Sequence, residues 1–130
     1  MGFAHLTLAT RDVSATKTFF ETALGWPAIH RPGNIDVQAA WLQVGPNQEL
    51  HIVHSPEFEA SPYEKEFGRH MAIDIPHSEF SPLKERLKEN GAEIIPPIRE
   101  TPFERFFFRD PNGYIFEVIP SERESETFGN

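Results

Sequence analysis

The chain has 130 residues, length for one compact domain or two small halves sharing a core, and with 38% hydrophobic residues and 12 phenylalanines it is neither a disordered polyelectrolyte nor a membrane span. A net charge of -8, with no Lys/Arg stripe to offset it, repels a phosphate backbone and excludes nucleic acid as the expected partner. Cysteine is absent, which removes disulfides, thiolate nucleophiles, zinc–thiolate sites and iron–sulfur clusters, so any metal must be held by nitrogen and oxygen.

In chain order, Ala4 to Ala9 alternates apolar with small or polar residues and predicts a half-buried strand. Asp12 is the expected N-cap of a helix whose apolar face is Val13, Thr16, Phe19, Phe20 and Leu24, with Gly25 at its end. Three extended stretches follow, at 28–31, 37–44 and 49–54, separated by Pro-Gly-Asn and Gly-Pro-Asn turns. The first half therefore reads βαβββ. Residues 55–67 carry no clean period and read as a connector.

The second half repeats the programme. Residues 69–75 form an alternating strand, again with a histidine near its start. A helix follows, opened by Ser78 or by Ser81 with Pro82 at its first turn, faced by Phe80, Leu83 and Leu87, and closed by Asn90-Gly91. Extended pieces at 93–98, 103–109 and 114–119 complete it, the last two joined by a tight Asp110-Pro111-Asn112-Gly113 hairpin. His5 and His70 lie 65 positions apart, Gly25 and Gly91 lie 66, and His51 and Glu117 lie 66. Landmarks agreeing to one residue indicate an internal duplication. The expected organisation is α+β: a single domain over 1–120 made of module 1 (about 1–55), a connector (about 56–67) and module 2 (about 68–120), with an acidic tail at 121–130.

The duplication places His5 and His51 in positions equivalent to His70 and Glu117, on the first and last strands of each half. On a sheet that curls, period-two geometry keeps His5 with Thr7, His51 with Val53, His70 with Ala72, and Glu117 with Ile115 and Ile119 on one face each. A strand histidine taken alone is ordinarily a hydrogen-bonded core or surface residue, and a lone Glu117 could be an ion-paired edge residue. Four such residues at repeat-equivalent positions point instead to a divalent metal site. Three imidazoles and a carboxylate suit Zn²⁺, Ni²⁺, Fe²⁺, Mn²⁺ or Co²⁺ rather than Ca²⁺. One carboxylate leaves the site net positive, which favours an anionic or enolate-like substrate atom. His54, on the opposite face of its strand, is a rival to His51. His30 and His77 read as surface residues.

These residues resemble the vicinal oxygen chelate superfamily, which includes glyoxalase I, extradiol dioxygenases, fosfomycin-resistance enzymes and bleomycin-resistance proteins. The resemblance spans nearly all of residues 3–120. It is carried by Ala4-His5-Leu6-Thr7-Leu8, the Phe19-Phe20 helix ending Leu24-Gly25-Trp26, Glu49-Leu50-His51, Arg69-His70-Met71-Ala72 and the segment Phe108 to Glu117. It implies paired βαβββ modules as curled mixed half-barrel sheets with helices outside, and metal ligands at His5, His51, His70 and Glu117. One departure matters: the position of His51 is often Glu or Gln in glyoxalase-like members, which leaves Glu117 as the obvious catalytic base.

The first functional expectation is a metal-dependent glyoxalase-like lyase or isomerase acting on a small carbonyl or enolisable substrate, with Glu117 moving the proton. The second is an Fe(II) extradiol-type dioxygenase, since His5, His70 and Glu117 make a 2-His-1-carboxylate set. The third is a non-catalytic drug-sequestering protein of the bleomycin-resistance type. Trp41, Arg105 and Arg109 are candidate substrate contacts, each equally readable as core packing or a rim ion pair. The resemblance implies a homodimer. No leader or membrane span is legible, and the expected compartment is the cytoplasm.

Overall fold

The computed structural model describes residues 1–123, so most of the expected tail lies outside the described residues. The chain divides into two compact units, Met1–Glu59 and a second beginning at Ala60. In the first, the elements are β1 (His5–Thr10), α1 (Val13–Ala23), β2 (Ala28–Ile29), β3 (Ala39–Gly45) and β4 (Gln48–His54). In the second they are β5 (Met71–Ile75), a 3₁₀ turn (His77–Glu79), α2 (Phe80–Glu89), β6 (Glu93–Ile95), β7 (Phe106–Arg109) and β8 (Ile115–Pro120). Both read βαβββ, and the two sheets have matching orders, β1-β4-β3-β2 and β5-β8-β7-β6. In each sheet the first strand runs parallel to the last of its unit, and the other pairings are antiparallel. The α+β class expected from the repeat is the observed one, with open mixed sheets rather than a closed barrel.

Each sheet buries one face under its own helix. In the first unit Leu8, Leu42, Leu50 and Ile52 are buried together with Val13, Phe19, Phe20 and Ala23 of α1. In the second Phe106, Phe108, Phe116 and Val118 are buried with Phe80, Leu83 and Leu87 of α2. Each of these larger side chains contributes roughly 1.5–3 kcal/mol by leaving water. The other face of each sheet carries the candidate ligands, in the second unit beside the buried Phe107 and Ile115.

Helix α1 begins as its sequence predicts. Asp12 has extended backbone and accepts a hydrogen bond from the Ala15 N–H, satisfying one of the donors orphaned at a helix start. Its end uses Gly25 at φ +72°, where the N–H groups of Gly25 and Trp26 bond back to Glu21 and Phe20 and the Trp26 ring stacks on Phe20. Replacing Asp12 by Ala is expected to cost about 1 kcal/mol, read as a lowered thermal midpoint.

Helix α2 departs from the expectation. Neither Ser78 nor Ser81 caps it; a 3₁₀ turn leads directly into the helix, whose N-cap position is Glu79 with no side-chain cap hydrogen bond. The first turn is instead approached by the exposed Glu122, which accepts from the His77 N–H. Strand β6 is shorter than the extended run 93–98 because Pro96 and Pro97 supply no N–H to a ladder. Strand β7 starts at Phe106 rather than Phe103, and His70 immediately precedes β5.

The Asp110–Gly113 hairpin forms as expected, with Gly113 at φ +99°. Asp110 Oδ1 accepts from the N–H groups of Asn112 and Tyr114, while Oδ2 is buried without a partner among the described residues. Burial outweighs those bonds and pushes the carboxyl up to about 6 from 3.8. Between those two values the unfolded chain binds fewer protons than the folded one, so this residue's contribution to stability falls as pH rises through the window and is fully unfavourable above about 6. The unfolding free energy of wild type relative to Asp110→Asn is therefore expected to decline by roughly 2–3 kcal/mol between pH 4 and 7 in paired denaturant titrations.

Candidate metal centre

In the first unit the open face of the sheet carries His5 and Thr7 of β1, Trp41 of β3, and Glu49 and His51 of β4. Thr7 and Trp41 flank His51 in register, so all three project to the same side. The His51 ring is sandwiched, with Trp41 stacked on it at 3.7 Å between centroids and His5 at 4.0 Å, all nearly parallel. His51 Nε2 lies 2.8 Å from Glu49 Oε1, and the residue is buried. Ring lone pairs lie in the ring plane, and the two planes here are stacked and nearly parallel with centroids 4.0 Å apart, so the stack brings His5 and His51 together without converging their nitrogens on one point.

In the second unit Ala72, Glu117 and Phe107 lie across β5, β8 and β7 in register, and His70 shares their face by alternation. His70 Nδ1 lies 3.2 Å from the Lys65 carbonyl oxygen, which can only accept, so in the neutral ring Nδ1 is the donor and the lone pair sits on Nε2. That lone pair faces Glu117 Oε1 at 3.4 Å, while the ring edge rests on Phe107. In the neutral ring two acceptors face each other, an arrangement that a cation between them satisfies, whereas in the protonated ring the two form an ion pair. Their separation is close to that of two ligands around one ion with bonds of about 2.0–2.2 Å at a near-tetrahedral angle. An imidazole donating its other N–H to a backbone carbonyl is also the usual arrangement of a metal-bound histidine. The donor pair His70 and Glu117 therefore fits a divalent metal.

The remaining oxygen of Glu117 is engaged elsewhere. Arg105 Nη1 donates to Oε2 at 2.9 Å, and Nη2 donates to Glu66 Oε2 at 3.0 Å and to the Arg99 carbonyl. Burial pushes the Glu66 carboxyl up, but the N–H groups of Ile98 and Arg99 and the Arg105 guanidinium outweigh it and hold it below its ordinary range. Arg105 is thus buried in a two-carboxylate bridge and is no rim residue, whereas Arg109 reaches Glu93 and the Gly113 carbonyl near the surface.

Of the four predicted ligands, the structure pairs His5 with His51 and His70 with Glu117, one pair per unit. Among the described residues no cluster of three or more His, Asp or Glu side chains suited to a metal is gathered. His77 pairs with Glu104 at the surface, His30 is exposed, and His54 lies on the helix side of β4 with Ile52. The partners Glu49 and Arg105 were legible by parity, each two positions from a residue on the same face. Glu66 carries no such signal.

A model of the Glyoxalase/Bleomycin resistance protein/Dioxygenase superfamily matches residues 2–118. The chain belongs to that superfamily. It is similar to Glyoxylase I 4 of Arabidopsis thaliana, at 25% identity over 88% of this chain and 67% of that protein. It is similar to the glutathione transferase FosA of Serratia marcescens, at 28% identity over 88% and 77%. Among solved structures, its fold matches a variant of the fosfomycin resistance protein FosX from Listeria monocytogenes complexed with Mn(II) and 1S,2S-dihydroxypropylphosphonic acid. That match has a TM-score of 0.73 at 20% identity and covers 91% of this chain and 88% of the other. The superfamily fold thus accounts for the repeat, and what each member of it does is decided by its site rather than by that fold.

Proposed function

We propose that this superfamily member is a divalent-metal-dependent lyase or isomerase of glyoxalase type, acting on a small oxygenated substrate with a carbonyl or enolisable centre. The observation that carries this reading is the pair His70 and Glu117, whose imidazole Nε2 and carboxylate Oε1 face each other at 3.4 Å, the spacing of two ligands on one ion. The metal set is His5, His70 and Glu117, with His51 as the fourth candidate. A bound divalent ion supplies polarisation of a substrate oxygen and stabilises the charge that develops there.

The chain's own groups do the rest. The Lys65 carbonyl orients the His70 ring, and Glu117 is the candidate base that accepts and returns a proton. Glu49 holds His51, whose ring supports His5 on one side while Trp41 covers the other. His51, with one nitrogen engaged by Glu49, is the set's least exposed imidazole. The relative that is a glutathione transferase supports a second reading of the same site, nucleophilic addition of a thiol to a small electrophile such as an epoxide.

The test is elemental analysis of protein purified without a His tag, loaded in turn with Mn²⁺, Ni²⁺, Co²⁺, Zn²⁺ and Fe²⁺. Turnover is then measured on α-ketoaldehyde hemithioacetals, on small epoxides with a thiol, and on catechols with Fe²⁺. Stoichiometric metal and metal-dependent isomerisation of a hemithioacetal are expected. Epoxide opening alone selects the second reading, catechol cleavage selects dioxygenase chemistry, and failure to take up any of these ions removes the metal site.

A further inference from the structure

A buried arginine in a small sheet needs a reason. Desolvating a guanidinium costs several kcal/mol, and buried ion pairs seldom repay this as net stability. Arg105 has a side chain only 2% exposed, and its Nε has no hydrogen-bond partner among the described residues. Its guanidinium is nonetheless held from several sides. Glu66 and the Arg99 carbonyl take Nη2, the Phe107 ring lies 5.2 Å from the guanidinium carbon, and Glu117 takes Nη1. Glu66 is itself fixed by the N–H groups of Ile98 and Arg99. The guanidinium therefore cannot follow Glu117 if that carboxylate turns; it constrains it.

The constraint is selective for one oxygen. Nη1 binds Oε2 at 2.9 Å, and it is the other oxygen, Oε1, that faces His70 Nε2 at 3.4 Å. A free carboxylate offers both oxygens and can chelate an ion through the pair. We propose that Arg105 is a positioning residue for Glu117, occupying Oε2 so that the carboxylate presents only Oε1 to the metal and keeps a coordination position open for substrate. The proposal rests on the reading that His70 and Glu117 hold a metal. It gives the buried charge a role that a hydrophobic residue of similar size could not fill, because an apolar neighbour would leave both oxygens free.

The experiment uses Co²⁺, whose visible absorption weakens as its coordination number rises. Wild type, Arg105→Lys and Arg105→Met are titrated with Co²⁺ and their spectra and affinities compared, with His70→Ala as the site control and thermal unfolding of each metal-free protein as the fold control. The expected result is a weaker, shifted spectrum and at least a tenfold change in affinity for Arg105→Met, with Arg105→Lys between it and wild type. Identical spectra and affinities in folded Arg105→Met and Arg105→Lys, with binding still lost in His70→Ala, overturn the role of Arg105 while leaving the metal site standing. Wild type that binds no Co²⁺, or His70→Ala that binds it unchanged, removes the metal site and this inference with it.

Wild type alone supplies a second measurement, needed if the substitutions do not fold. The metal-minus-apo infrared difference spectrum contains the Glu117 carboxylate stretches, assigned by their loss in Glu117→Gln. A wide splitting, as for a carboxylate bound through one oxygen, is expected. A narrow, chelate-type splitting overturns the proposal.

Discussion

Replacing His70 or Glu117 by alanine is expected to lower the affinity for divalent metal by at least about a hundredfold while leaving the fold intact. Changing the outer partners of metal ligands ordinarily costs 10- to 100-fold, so removing a ligand costs at least the upper end of that range. The fold is spared because neither side chain belongs to the helix-covered core; their side chains are 22% and 13% exposed on the open face of the second sheet. Glu117→Ala also strands Arg105, so it is expected to unfold at a lower temperature than His70→Ala even where both lose metal. His77→Ala is the matched control, since His77 is a half-exposed partner of Glu104 and its loss leaves metal affinity unchanged. Calorimetric titration with Mn²⁺ or Co²⁺ on the metal-free proteins measures all three. Wild-type affinity in both His70→Ala and Glu117→Ala would return these residues to an ordinary ion pair.

Arg105→Ala is expected to destabilise the metal-free protein by about 3–5 kcal/mol, the largest single-residue effect outside the apolar core. The loss does not measure the strength of the ion pairs themselves. It arises because Glu66 and Glu117, 9% and 13% exposed, are left facing each other's charge without the guanidinium between them. Arg105→Ala combined with Glu66→Gln removes part of that repulsion and is expected to recover a portion of the loss. Urea denaturation of the single and double variants checks this, and additive losses would sink the account.

The strand and helix order of both units was readable because it is written in local chemistry. Alternation along β1 and β5, the Asp12 cap, the Gly25 and Gly91 helix ends and the Asp110–Gly113 turn each depend on neighbours a few residues away. Errors fell where a local signal had competition. Ser78 and Ser81 have capping side chains, but the 3₁₀ turn starting at His77 enters the helix before either is needed. The extended run after Glu93 ends early because two prolines follow Ile95.

The candidate site divides in the same way. Sequence alone determined which residues could bind a metal: the chain has no cysteine, the duplication aligns His5 with His70 and His51 with Glu117, and period-two alternation places each on a definite face. It could not determine what each side chain does there, because that depends on neighbours distant in the chain. The His70 ring is oriented by the Lys65 carbonyl, the His51 ring by Glu49 and its stacking partners, and the oxygen of Glu117 left facing His70 by Arg105. Glu66, 39 positions before Arg105, holds the guanidinium in place, and no local pattern announces it. The candidate ligands follow from residue type and spacing, whereas side-chain orientation and the carboxylate oxygen left open are set by hydrogen bonds and ion pairs that only the folded chain brings within reach.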